Sequence, residues 1–323
     1  MTSPARPLVE SALLAALGAL FILVTFYIPV LGTFATLVSP LPIAFAVIRH
    51  GPRWGVLSSI VTLLVLLPIL NPVYAVAFWV VFGTMGLALG YSVRRNFPAE
   101  RTIGLMMGAS IVGMAADLLA TYIATGLTLR DLVEESIKAF TGAYEMSAKI
   151  LGENPMLEEA IKAMTPDFVM KVAPGSFFVS ALFLAWLNYE VARRILPRFG
   201  YSAGPLRPFS RWIMPVITGH LWILAYMGLY LQPAYADKLP FLAVMAQNVF
   251  LAAGMILLLD AASVLCFFLM RAGFTAGMAG VFTALAVSMA YTNPLFLWLA
   301  QIFGMIDVLF DLRKVRYPEI AGL

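Results

Sequence analysis

Residues 9–31 read VESALLAALGALFILVTFYIPVL, 23 positions with one acidic residue, Glu10, near the start. The run is longer than the apolar core of a secretory signal, and no convincing small-residue cleavage site follows it. It is therefore expected to stay in the chain as a first membrane-spanning helix. The rest of the sequence repeats this character. Of 323 residues, 62% are hydrophobic and 12% charged, and the mean hydropathy is +0.91. A soluble domain is nearer 45 to 50% apolar and about a quarter charged. At about 20 apolar residues per crossing, the composition supports eight to ten spanning helices with little left for a globular domain. A soluble enzyme is excluded, and the expected fold is an all-α polytopic membrane protein with the lipid bilayer as its solvent.

Ten apolar segments can be read outward from the first, at roughly 9–31, 33–48, 54–70, 73–91, 103–127, 174–192, 212–231, 240–270, 272–291 and 295–310. The second carries Pro40 and Pro42. Only Asn71-Pro72 separates the third from the fourth, and only Asn293-Pro294 the ninth from the tenth, which predicts tight hairpins or re-entrant turns. With a cytoplasmic amino terminus, fifteen basic residues fall inside: Arg6, Arg49, Arg53, Arg94, Arg95, Arg101, Arg193, Arg194, Arg198, Arg207, Arg211, Arg271, Arg313, Lys314 and Arg316. Six fall outside: Arg130, Lys138, Lys149, Lys162, Lys171 and Lys238. The positive-inside rule then puts both termini in the cytoplasm, in an inner (cytoplasmic) membrane. A net charge of +4 reports orientation before it reports nucleic acid, and no nucleic-acid partner is expected.

The expected organisation is a six-helix membrane bundle from 1–127 and 173–196, an extracytoplasmic insert at 128–172, a basic cytoplasmic loop at 197–211 and a four-helix extension at 212–323. The insert carries eight acids against five bases. Within it Thr128 to Asp131 resembles a capping box, and Val133, Ile137, Phe140, Tyr144 and Leu151 recur near helical period. Asn154-Pro155 and Thr165-Pro166 look like the starts of two further short helices. Such a hairpin could rest on the outer headgroups or form a lid over a pocket opening outward.

Chemical motifs are few. No G-x-x-x-x-G-K-[ST] loop and no G-x-S-x-G elbow occurs. His50, His220 and the single Cys266 have no metal-ligand spacing, so neither a metal, a cofactor nor an enzymatic activity is expected. Polar residues at membrane depth carry more information, because an unpaired one in hydrocarbon is costly. Glu190 is expected to pair with Arg193 or Arg194, and Asp307 with Arg313 or Lys314. Asp117 has no local cation and suits either a ligand contact or a helix–helix hydrogen bond. Around it Asn71, Tyr74, Trp79, Thr121 and Tyr122 offer the mixture of ring area and directional polar groups found in small-molecule sites, or else an interfacial aromatic belt. A second polar cluster is expected from His220, Gln247, Asn248 and Asp260, structural rather than ligand-binding. Small residues spaced by four, Ala12 with Ala16 and Ala15 with Ala19, make a smooth face on the first span, and Gly86/Gly90, Gly104/Gly108 and Gly273/Gly277 repeat the spacing.

The proline-broken run Ser39-Pro40-Leu41-Pro42-Ile43, the turn with Arg49, His50, Gly51 and Arg53, and Phe82 to Tyr91 (FGTMGLALGY) resemble the YybS-like, DUF2232-type family of uncharacterised bacterial membrane proteins over most of the chain. That family's amino-terminal half in turn resembles the substrate-binding S components of energy-coupling factor transporters. The resemblance implies an alanine-rich face, here Ala12, Ala15, Ala16 and Ala19, that docks on a transmembrane coupling subunit. It also implies an outside solute handed inward by a separate ATPase module. The acidic insert and the four extra spans depart from that pattern. The competing reading is a non-transporting scaffold or regulator that binds a protein partner.

Overall fold

In the computed structural model, which describes residues 5–152, 155–236 and 238–315, the described residues are helical throughout apart from turns and loops. Thirteen α-helices follow one another: α1 Ala5–Tyr27, α2 Pro29–Val38, α3 Leu41–His50, α4 Pro52–Leu66, α5 Pro72–Arg94, α6 Ala99–Thr125, α7 Leu129–Leu151, α8 Pro155–Ala163, α9 Pro166–Ile195, α10 Val216–Tyr235, α11 Pro240–Arg271, α12 Ala276–Thr292 and α13 Pro294–Phe310. Seven of them open on proline, whose fixed φ and missing N–H suit a first turn where the donor would be orphaned anyway. Asn71 and Asn293 complete two of these starts, each accepting a backbone N–H two residues on at 2.9 Å. The Asn-Pro pairs thus serve as helix starts.

Among the described residues, six segments are long and apolar enough to cross a membrane: Arg6–Tyr27, Val30–His50, Pro72–Arg94, Ala99–Thr125, Pro166–Phe199 and Pro240–Arg271. Three shorter apolar helices, α4, α12 and α13, have 15, 17 and 17 residues. At 1.5 Å per residue they reach about 22 to 26 Å, less than a hydrocarbon core of about 30 Å. This is a polytopic all-α membrane protein.

The second segment is interrupted at Ser39-Pro40, yet both residues keep right-handed helical dihedrals, and the Ser39 hydroxyl donates to the Ala35 carbonyl at 2.8 Å. α2 and α3 therefore continue as one span with a local loss of backbone bonding. The insert differs from expectation. α7 begins on the anticipated box, with the Thr128 hydroxyl accepting from the Asp131 N–H and the Asp131 carboxylate accepting from the Thr128 N–H. The Thr128 hydroxyl also donates to Asp131 Oδ2 at 2.6 Å, and this bond, with that from the Thr128 N–H, holds the Asp131 carboxyl below the usual carboxylate range. Pro155 opens the nine-residue α8, whose expected cap at Asn154 lies outside the described residues, as do Glu153 and Arg316. Pro166 starts no short helix. It opens the 30-residue α9, which runs through Pro174, so the end of the expected insert is already spanning helix.

The chain forms two compact units, Met1–Pro166 with Ser180–Leu206, and Asp167–Val179 with Arg207–Leu323. In the first, α5 packs on α3 and α6. Glycine permits the approach: a Cβ on Gly86 would lie 2.6 Å from the Pro40 carbonyl oxygen, one on Gly90 2.7 Å from that of Ala44, and one on Gly113 2.8 Å from the Val81 Cα. Among the described residues, Gly104, Gly108, Gly273 and Gly277 have nothing within 4 Å of such a Cβ, so their spacing serves no close approach there. The basic turns of this unit gather at one end. Glu10 on α1 takes bonds from Arg6 and His50 at 2.9 Å each, Arg94 donates to the Ile48 carbonyl at 3.0 Å, and the Phe45 ring meets Phe199 at 4.9 Å. At the other end the Tyr27 hydroxyl donates to the Ile69 carbonyl. In the second unit α11 packs on α10 and α13 around Trp222, Ala253, Leu257 and Val308, and the Trp222 indole donates to Gln301 at 3.2 Å.

Candidate functional site

The residues expected to line an outer pocket all belong to the first unit. α5 and α6 run antiparallel in a register set by the Thr84 hydroxyl, which reaches the Ala109 carbonyl at 3.1 Å, and by Gly113 against Val81. That register brings Asp117 level with Val76 and Ala77, between the levels of Tyr74 and Trp79. Asp117 is half-buried, about 12 Å along the axis from the end of α6. It has no hydrogen bond or ion pair among the described residues. Its expected companions are placed differently. Asn71 is engaged as the α5 cap, Trp79 donates to the Ser59 hydroxyl at 3.3 Å, and Tyr74 packs its ring against Phe26 at 5.5 Å. Thr121 is half-buried and Tyr122 is exposed. Among the described residues no polar contact joins Asp117 to any of these five.

The alanine face divides. Ala15 and Ala19 are fully buried under α4, whose Thr62 hydroxyl donates to the Ala15 carbonyl at 3.1 Å. Of the four alanines expected to dock on a coupling subunit, Ala12 and Ala16 are exposed.

The expected polar cluster of the second unit also comes apart. His220 is exposed, with Nδ1 against the Val216 carbonyl of its own helix. Asn248 instead ties α11 to the start of α9, accepting from the Gly175 N–H and donating to the Lys171 carbonyl, both at 2.7 Å. Gln247, half-buried, joins neither group. Asp260 lies twelve residues beyond Asn248, about 18 Å further along the helix, where no contact between them is feasible.

What surrounds Asp260 is an ionic centre that the sequence reading divided among separate residues. Arg313, in the segment after α13, brings its guanidinium into the core. Nε and Nη2 donate to Asp307 Oδ2 at 3.2 and 2.7 Å, and Nη2 lies 3.5 Å from Asp260 Oδ1. Nη1 reaches the Ser210 carbonyl at 3.0 Å and the Ser263 hydroxyl at 2.6 Å, and Nη2 also reaches the Trp212 carbonyl at 2.7 Å. The Met214 N–H donates to Asp260 Oδ1 at 3.0 Å. All three charged side chains have zero exposure. The anticipated pairing of Asp307 with Arg313 is thus present, while that of Glu190 is made with Arg193 and Arg194 together. Because Arg313 is sequestered, it does not act as a surface charge of an inner turn. No group of three or more metal-ligating side chains occurs among the described residues.

A family model described as "Predicted membrane protein (DUF2232)" matches residues 16–308. Among curated proteins, "Uncharacterized protein YybS" of Bacillus subtilis (strain 168) is 23% identical over 314 residues, covering 96% of this chain and 98% of the relative. No solved structure matches the chain.

Proposed function

We infer, from the premise that the chain belongs to the DUF2232 family of predicted membrane proteins, that it is a solute-binding membrane subunit that takes up a small molecule from outside. Lacking a phosphate loop of its own, it relies on a separate ATP-driven module with a transmembrane coupling subunit, as energy-coupling factor S components do. The observation that carries this reading is Asp117. A carboxylate at that depth in an apolar helix is costly unless something donates to it, and the described residues supply no donor. A solute bearing an amine or another strong hydrogen-bond donor would complete it. Exposed Ala12 and Ala16 offer a small-residue surface for the coupling subunit. The gathering of basic turns at one end of the first unit supports an orientation with the amino terminus in the cytoplasm.

The test is Asp117→Asn, read by small molecules retained on purification and by melting temperature. Losing a charge-assisted bond of about 1.5 to 3 kcal/mol should cut retention roughly tenfold or more, with the empty protein as stable as before. A fall in stability with retention unchanged would remove Asp117 from the site. The second reading, a non-transporting scaffold, is favoured by the internal use of Asn71 and Trp79. It predicts no retained solute at all.

A further inference from the structure

We propose that Asp260 and Asp307 share a single proton, which makes the pair a proton-binding site in the second unit with Arg313 as its fixed counter-charge. Two carboxylates and one guanidinium leave one negative charge, and all three side chains are wholly enclosed. Uncompensated charge in such a place is strongly disfavoured. No other cation faces the pair among the described residues. The 209–214 turn presents only backbone, through the Ser210 and Trp212 carbonyls and the Met214 N–H, and α11 adds the Ser263 hydroxyl. Arg211, His220, Arg271 and Lys314 are exposed.

Hydrogen bonding points the same way independently. Asp260 Oδ1 and Asp307 Oδ2 are engaged, but Asp260 Oδ2 and Asp307 Oδ1 are buried without any partner. The two carboxyl groups converge on one nitrogen, Arg313 Nη2, which lies 3.5 Å from Asp260 Oδ1 and 2.7 Å from Asp307 Oδ2, and while both are ionised neither can donate to the other. A proton on either carboxyl turns a free oxygen into a donor, which two ionised carboxylates cannot supply. The same proton removes the surplus charge. A metal cation fits less well, because the pair offers only two free oxygens.

Infrared spectroscopy of the full chain in lipid nanodiscs near neutral pH tests this. The expected result is a protonated-carboxyl carbonyl band that shifts in deuterated water. It should vanish in Asp260→Asn and in Asp307→Asn, each of which keeps the charge balanced and should remain folded. Should either variant fail to fold, the wild-type band titrated upward in pH under aspartate isotope labelling reads the same group. Absence of the band in the wild type overturns the proposal, as does a band that neither substitution removes. So does stabilisation of a band-free wild type by sodium or potassium, which would assign the site to a metal cation.

Discussion

Removing the guanidinium of Arg313 would leave Asp260 and Asp307 without their shared cation in an enclosed core, together with the Ser210 and Trp212 carbonyls it now satisfies. Truncating one partner of a buried ion pair costs about 3 to 5 kcal/mol. Arg313→Leu should therefore lower the thermal stability of the detergent-solubilised protein severely, whereas Lys314→Leu, at an exposed neighbour, should leave it almost unchanged; equal melting temperatures for the two variants would contradict the geometry. The sequence marks Asp260 and Asp307 readily as acids in apolar helices. It does not reveal their common partner, because Arg313 lies 53 residues from Asp260, and helical spacing reports only neighbours one turn away. The preceding helix offers His220 instead, which is exposed and bonded to the Val216 carbonyl of its own helix. Asp117 is legible for the opposite reason, since its lack of any local cation is itself a sequence property.

At the scale of elements, the first helix distinguishes two kinds of small residue. Ala15 has no exposed surface and lies against Thr62, while Ala16 is exposed one residue later. Ala15→Leu should overpack the contact between α1 and α4 and cost about 1 to 3 kcal/mol. Ala16→Leu should leave the isolated protein folded and weaken only its association with a partner, as measured by co-purification. If Ala16→Leu instead unfolds the protein, its face is internal packing. Spacing by four identifies both pairs as smooth surfaces, but it cannot say which of them a neighbouring helix of the same chain already covers. Helix starts were far more legible: Asn-Pro and Thr-x-x-Asp carry their own capping chemistry, and the helices begin on them. The sixth apolar segment, read from 174, begins inside α9, because a proline such as Pro174 can lose its backbone bond without ending a long helix.

For the whole molecule, apolar runs broken by proline and charge are enough to read a polytopic helical protein, since hydropathy and helix length are set by the same bilayer. Hydropathy says nothing about which helices pack together, so the bonds from Asn248 to Gly175 and Lys171, which join the start of α9 to α11, left no trace in the sequence. Uptake from outside through Asp117 requires the end of α6 that leads into α7 to face outward. Impermeant maleimide applied to intact cells carrying Glu145→Cys in a Cys266→Ser background measures this directly. Uptake from outside predicts labelling of the substituted α7 without permeabilisation. Labelling only after the membrane is opened would place Asp117 towards the cytoplasm and contradict the uptake reading.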